Sequence, residues 1–143
     1  MSEAENSAIV RRFIEEIFNQ GKLEIAEEIL AQDYTHHDPT TKEFGSGIGG
    51  FKQMISQYRQ AFDLKIVLED QIASEDKVVD RWTGYGTHQG EFMGMAPSGR
   101  KITASGISIH RLAGGKIVET WNNYDALGIF QQLGIISGIN NKA

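Results

Sequence analysis

Cysteine is absent from the 143 residues. That excludes a disulfide framework, a thiolate nucleophile and a Cys-ligated zinc, and makes a reducing cytoplasm the simplest home. Nowhere do about 18 apolar residues run together, so no membrane association is expected. The opening "MSEAENSAIVRRF" is acidic where a secretory signal would be basic. Basic runs are missing too. The 14 Lys and Arg are scattered and the net charge is −5, which leaves phosphate-backbone binding little electrostatic basis, and nucleic acid is not an expected partner. What is present, 40% hydrophobic residues, suits one compact domain over 1–143 with room for a core and a small-molecule cavity.

Ser2 and Glu5 have capping-box spacing, and the apolar pairs Ile9/Val10, Phe13/Ile14 and Ile17/Phe18 recur every four residues until "NQGK" stops them. This predicts an amphipathic first helix. "LEIAEEIL" predicts a second, shorter helix, and "AQDYTHHDP" an exit into extended chain. Phe51, Ile55, Tyr58 and Phe62 carry the stripe of a third helix. The period then changes. "LKIVLEDQIA", "KVVDRWTGYGTH", "RKITASGISIHRL" and "KIVETWNNY" are rich in β-branched and aromatic residues and predict four strands. "SED" and "AGG" are short enough for antiparallel hairpins, whereas "QGEFMGMAPSG" is a longer loop. A last helix, "ALGIFQQL", closes at Gly134 before a tail expected to fray. Helices followed by antiparallel strands give an α+β fold in which a curved, mainly antiparallel sheet wraps around the N-terminal helices and encloses a cone-shaped cavity. Gly84, Gly86 and Gly106 inside the strands suit that curvature.

Two apparent motifs carry little. "GSGIGG" formally matches G-x-G-x-x-G but follows no buried strand, so a dinucleotide site has no support, and no G-x-S-x-G elbow occurs. His36 and His37 point to opposite faces of an extended chain, so at most one enters a cavity. A metal site using His37, His88 and a distant carboxylate is weaker than ordinary loop polarity, and no metal is expected. In "GISIHRL", Ser108 and His110 share one strand face and Ile107, Ile109 and Arg111 the other. The polar face meets solvent, a subunit or a pocket. In the last strand, Trp121, Asn123 and Asp125 share a face if the strand runs to its end. Asp125 is then either an acid beside an aromatic wall or the N-cap of the final helix. Arg81 falls mid-strand and fits a pocket oxyanion partner or a surface ion pair equally well, and which face of its strand looks inward is open.

The stretches "NQGKLEIAEEILAQDYTHHDP", "DRWTGYGTHQGEFMGMAPSGRKI" and "GISIHRLAGGKIVETWNNYDALGIFQQLG" resemble the SnoaL-like polyketide cyclase (ester cyclase) family over residues 6–136. The resemblance implies the α+β cone of the nuclear transport factor two and ketosteroid isomerase superfamily. It also implies a homodimer or homotetramer, and cofactor-independent acid/base chemistry on a small hydrophobic carbonyl compound: an intramolecular aldol cyclisation. It matches Asp125 to the family acid, with His110 as its pocket histidine. His37, Arg81, Trp82 and His88 match family pocket positions and, with Trp121 and Asn123 from the face shared with Asp125, are the candidate substrate-binding residues. A related isomerase, dehydratase or hydrolase, or a non-catalytic binder of small ligands, is the alternative.

Overall fold

A computed structural model describes residues 1–40 and 44–136. The capping box forms as read: Ser2 Oγ accepts from the Glu5 N–H at 3.0 Å, and Glu5 Oε1 accepts from the Ser2 N–H at 2.9 Å. Helix α1 (Glu3–Arg12) continues as wider π turns over Phe13–Asn19. The π segment keeps Phe13, Ile14 and Ile17 buried. Its last carbonyls, at Phe18 and Asn19, accept from Arg59 Nη1 at 2.6 and 2.9 Å, which satisfies groups a helix end otherwise leaves open. Asn19 then clamps the helix to the sheet. Its side chain accepts from the Ile66 N–H at 2.7 Å and donates to the Ile66 carbonyl at 2.9 Å.

The expected second helix is shorter than its pattern. A 3₁₀ turn, Leu23–Ile25, leads into α2 (Ala26–Ile29), and Leu30 already starts a strand. That strand, β1 (Leu30–His37), was expected only as extended chain. The third helix, α3 (Gly47–Ala61), begins inside the glycine run. Gly50 is required there, because a Cβ would sit 2.6 Å from the Phe44 and Gly45 carbonyl oxygens. Phe62, last of the expected helical stripe, opens β2 (Phe62–Ser74). Strands β3 (Lys77–His88), β4 (Lys101–Ala113) and β5 (Lys116–Tyr124) follow, and α4 (Ala126–Leu133) ends at Gly134 with φ +80°. The expected fraying of the tail lies outside the described residues.

The sheet order is β1-β5-β4-β3-β2, antiparallel except for β1, which lies parallel to β5 with His36 opposite Thr120 and His37 opposite Trp121. One face of this open sheet packs on α1, its π extension and α3 through Phe13, Ile17, Tyr34, Phe51 and Ile55. A smaller cluster of Phe62, Ile102 and Leu133 seats α4 at the other end. Gly106 lies opposite Trp82 on β3, and a Cβ there would come within 2.7 Å of the indole Cε2. The missing side chain lets the indole lie across β4. No helix among the described residues is long and apolar enough to cross a membrane.

Candidate active site

Between the sheet, the first helix, α3 and α4 lies a cavity of about 120 Å³. Apolar residues, among them Phe18, Met54, Leu64, Ile102 and Phe130, form most of its wall. A polar seam interrupts it, supplied by β1, β3, β4 and β5. The period-2 geometry decides which residues enter. On β4 the polar face looks inward: Ser108 and His110 are 7% and 1% exposed, while Ile107 and Ile109 stand outside at 53% and 37%. On β3 the inward face carries Val78, Asp80, Trp82 and His88. On β5 it carries Thr120, Asn122 and Tyr124. The alternation at the end of β1 admits His36, and Asp38 just beyond it, to the cavity wall and turns His37 away.

Asp38 is the carboxylate on the cavity wall, and it collects donors from three directions. Its Oδ1 accepts from the Thr40 N–H at 2.9 Å and the Thr40 hydroxyl at 2.7 Å. Its Oδ2 accepts from Asn122 Nδ2 at 2.9 Å and lies 3.9 Å from His36 Nε2. Behind Asn122 the bonds run in one sense: Trp82 Nε1–H donates to Ser108 Oγ at 3.0 Å, and Ser108 donates to Asn122 Oδ1 at 2.6 Å. Three strands therefore hold the amide that holds the carboxylate. On the other side, Tyr124 and Thr40 hydroxyls meet at 2.8 Å, and Tyr58 reaches Tyr124 at a long 3.4 Å. Burial is the main cause that keeps the Tyr58 phenol protonated well above its ordinary range, with Tyr124 adding to it. Tyr58 is thus a durable donor.

Burial also acts on His36, pushing its imidazole down to about 4 against the opposing pull of Asp38. At neutral pH this ring is uncharged. Its Nδ1 pairs with the Tyr34 hydroxyl at 3.1 Å, while its Nε2 is buried without a partner. His110 also lines the cavity, with Nε2 3.0 Å from Asp80 Oδ2, Nδ1 2.9 Å from Thr120 Oγ1, and its ring edge-on to Phe13.

The candidate residues are divided by this geometry. His110 and Trp82 lie on the cavity wall. Asp125 does not: it is exposed, and its Oδ1 accepts from the Gly128 N–H at 2.9 Å as the N-cap of α4. Trp121 and Asn123 share its outer side, because the inward residues of β5 are the even-numbered ones between them. The outward His37 stacks on Trp121 with centroids 5.4 Å apart and bonds Glu119 at 2.6 Å. Arg81 makes an exposed pair with Asp70 at 2.7 Å. His88 is buried beyond the cavity, where Nδ1 accepts from the Ser98 N–H at 3.2 Å and ties down the 89–100 loop. Sequence reasoning missed His36, Asp38, Thr120, Asn122 and Tyr124. The usable signal was the even-numbered polar set of "ETWNNY", which Trp121 disguised by being the apolar member of the outer set. Among the described residues no group of three His, Asp or Glu side chains could hold a metal ion.

Residues 8–133 match the family model described as SnoaL-like polyketide cyclase. The chain belongs to that family. It is similar to the aklanonic acid methyl ester cyclase AcmA of Streptomyces galilaeus, with 33% identity over 92% of each chain. It is also similar to the nogalonic acid methyl ester cyclase of Streptomyces nogalater, with 30% identity over 82% of this chain and 89% of that one. Among solved structures, TsrD from Streptomyces laurentii superposes with a TM-score of 0.84 at 27% identity, covering 95% of this chain and 99% of the other. IdmH from Streptomyces antibioticus gives 0.76 at 31% identity, covering 90% and 98%. These SnoaL-like relatives share the α+β cone described above.

Proposed function

We propose that the chain is a cofactor-independent acid/base enzyme that closes a ring in a small, hydrophobic, carbonyl-bearing molecule by intramolecular aldol addition. The observation that carries this reading is Asp38, a carboxylate with a 3% exposed side chain on the polar seam of a largely apolar cavity wall, flanked by an uncharged imidazole. Asp38 and His36 act as the acid/base pair. Asp38 takes the proton α to a carbonyl, and the pair returns a proton to the alkoxide formed when the new C–C bond closes. Tyr58, whose bond to Tyr124 is long, turns its hydroxyl toward the developing enolate oxygen. Apolar walls exclude water, so each of these bonds acts at low dielectric. The role expected of Asp125 passes to Asp38, since Asp125 sits outside the cavity as a helix cap. In this proposal His110 and Trp82 remain pocket residues.

The ligand is a small hydrophobic molecule, and the relatives' names supply the probes: aklanonic acid methyl ester and nogalonic acid methyl ester. Ring closure without loss of atoms gives an isomer of equal mass and changed retention, read by chromatography with mass detection. Asp38→Asn is expected to lower kcat by roughly 10²–10⁴-fold, the usual weight of a positioned acid/base group, with circular dichroism unchanged. Failure of the wild-type protein to convert either ester, or full turnover by Asp38→Asn, overturns the reading. The exposed Tyr85, Ile107 and Ile109 on the outer sheet face support a homo-oligomer formed through that face. The lack of cysteine favours the cytoplasm as its compartment.

A further inference from the structure

An amide has two unlike ends, and the end that Asn122 turns to Asp38 decides which form of Asp38 it can serve. Asn122 lies between Ser108 Oγ at 2.6 Å and Asp38 Oδ2 at 2.9 Å, and each contact needs one hydrogen. With its oxygen toward Ser108, the amide accepts from the hydroxyl and donates from Nδ2 to a carboxylate. Turned over, it would donate to Ser108 and offer Asp38 an acceptor, which suits a carboxylic acid and repels a carboxylate. Amide orientation and the ionisation of Asp38 are therefore one linked equilibrium.

Two residues that do not touch Asp38 weight that equilibrium. Ser108 and Asn122 stand directly opposite each other on β4 and β5. Trp82 reaches Ser108 from β3 because Gly106, its partner on β4, leaves the space that the indole crosses. The indole Nε1–H only donates, so it fills one acceptor site of Ser108 Oγ at 3.0 Å and cannot take the Ser108 hydrogen. Ser108 is 7% exposed, and its bonds to Trp82 and Asn122 are the hydroxyl's two hydrogen bonds among the described residues. Its hydrogen thus has the Asn122 oxygen as acceptor, and turning the amide over would leave a buried hydroxyl hydrogen unpaired. We propose that Trp82 and Ser108 are positioning residues that lock the Asn122 amide in the orientation that holds Asp38 as a carboxylate, the form that takes a proton from the substrate. No proton passes along this series; it fixes direction only. The inference rests on the acid/base reading of Asp38 for its use, whereas the lock itself acts in the protein alone.

The titratable groups around Asp38 are His36 on β1, Tyr58 on α3, Tyr124 reached through Thr40, and His110 on β4 backed by Asp80 on β3. The first helix and α4 present Phe13, Phe18, Ile129 and Phe130. The experiment is a double-mutant cycle between two residues not in contact, Ser108→Ala and Asp38→Asn, read by urea denaturation at neutral pH. An Asn at 38 can face either end of the Asn122 amide, so the lock has nothing to hold there. Ser108→Ala is expected to lower the urea midpoint more in the wild-type background than in the Asp38→Asn background, and Ser108→Thr, which keeps the hydroxyl, to restore the wild-type value. Equal losses in the two backgrounds would mean that Ser108 only packs, and would overturn the lock. Trp82→Phe in the same cycle, expected to show a smaller coupling of the same sign, decides the point should Ser108→Ala not fold. With a converted ester, Ser108→Ala should lower kcat roughly tenfold, the weight of one buried hydrogen bond. KM should change little, and the acid limb of the kcat/KM profile should move to higher pH because the carboxylate has lost its support. An unmoved limb overturns the lock as well. Failure to cyclise either ester would overturn the proposed reaction and leave the stability cycle to decide the lock.

Discussion

Asp125 offers the sharpest test of the site as drawn, because the structure assigns it a bond and not a reaction. Its Oδ1 accepts from the Gly128 N–H at 2.9 Å, one of the four donors that the first turn of α4 leaves open. Removing a cap of this kind costs about 1 kcal/mol. For a chain of this length that corresponds to a fall in Tm of about 4 °C. Asn caps as well as Asp, so Asp125→Asn should cost a few tenths at most, whereas Asp125→Ala should show the whole loss. Gly128 supplies an internal control. A Cβ at 128 would fall 2.8 Å from Asp125 Cγ, so the carboxylate reaches its donor only because that residue is glycine. In an Asp125→Ala background, Gly128→Ala should therefore stabilise by about 1 kcal/mol, the ordinary helix gain over glycine. In the wild type the same change should give nearly nothing, as the displaced cap offsets the gain. The cycle thus carries a coupling of about 1 kcal/mol, measured by urea denaturation. Turnover should survive in all four proteins and in Asp125→Asn. An Asp125→Asn variant of normal stability that has lost ring closure would refute both the cap reading and the transfer of the acid/base role to Asp38.

Gly106→Ala should drive a Cβ into the Trp82 indole, which cannot swing clear without breaking its bond to Ser108. A loss of about 1–3 kcal/mol is expected, together with a change in tryptophan fluorescence. Unchanged stability and emission would mean that the indole does not lie across β4. Tyr34 and Tyr58 both have phenol pKa values raised by burial. Each is protonated in folded and unfolded chains below about pH 10, so neither contributes a pH dependence there. As pH rises above that value the unfolded chain ionises first and stability falls. Their tyrosinate absorbance should appear together with the loss of ellipticity, and each Phe variant should remove part of that step. Ionisation of either phenol while the protein is still folded would contradict their burial.

The fold was legible wherever periodicity and punctuation agreed. The boundaries of β3, β5 and α4 match "KVVDRWTGYGTH", "KIVETWNNY" and "ALGIFQQL", because hairpin turns and a terminal glycine mark them. β1 was not legible as a strand. "LAQDYTHH" has no hairpin partner and gains its pairing from β5, some 80 residues on, through a parallel ladder that local pattern cannot announce. The end of α3 blurred for a related reason: Phe62 continues the helical stripe by spacing, but its packing with Ile102 and Leu133 draws it into β2.

The site was harder to read because inward and outward faces are a single parity choice per strand, and the usual guide to parity is apolarity. Here that guide is inverted on two strands. β4 turns Ser108 and His110 inward and Ile107 and Ile109 outward, and β5 turns Thr120, Asn122 and Tyr124 inward and Trp121 outward. A sheet built to bury a polar seam against an apolar helical layer gives the wrong answer to a hydrophobicity rule at the positions that matter for chemistry. Four strands supply consecutive members of that seam, so no short motif contains it. Asp38 and Asn122 are 84 residues apart in sequence and meet at 2.9 Å. Asp125, by contrast, lies in a contiguous and recognisable run, which is why sequence reasoning favoured it. The carboxylate on the cavity wall, Asp38, lies just past the end of β1 and is held by Asn122 of β5, neighbours through a parallel pairing that the sequence did not reveal.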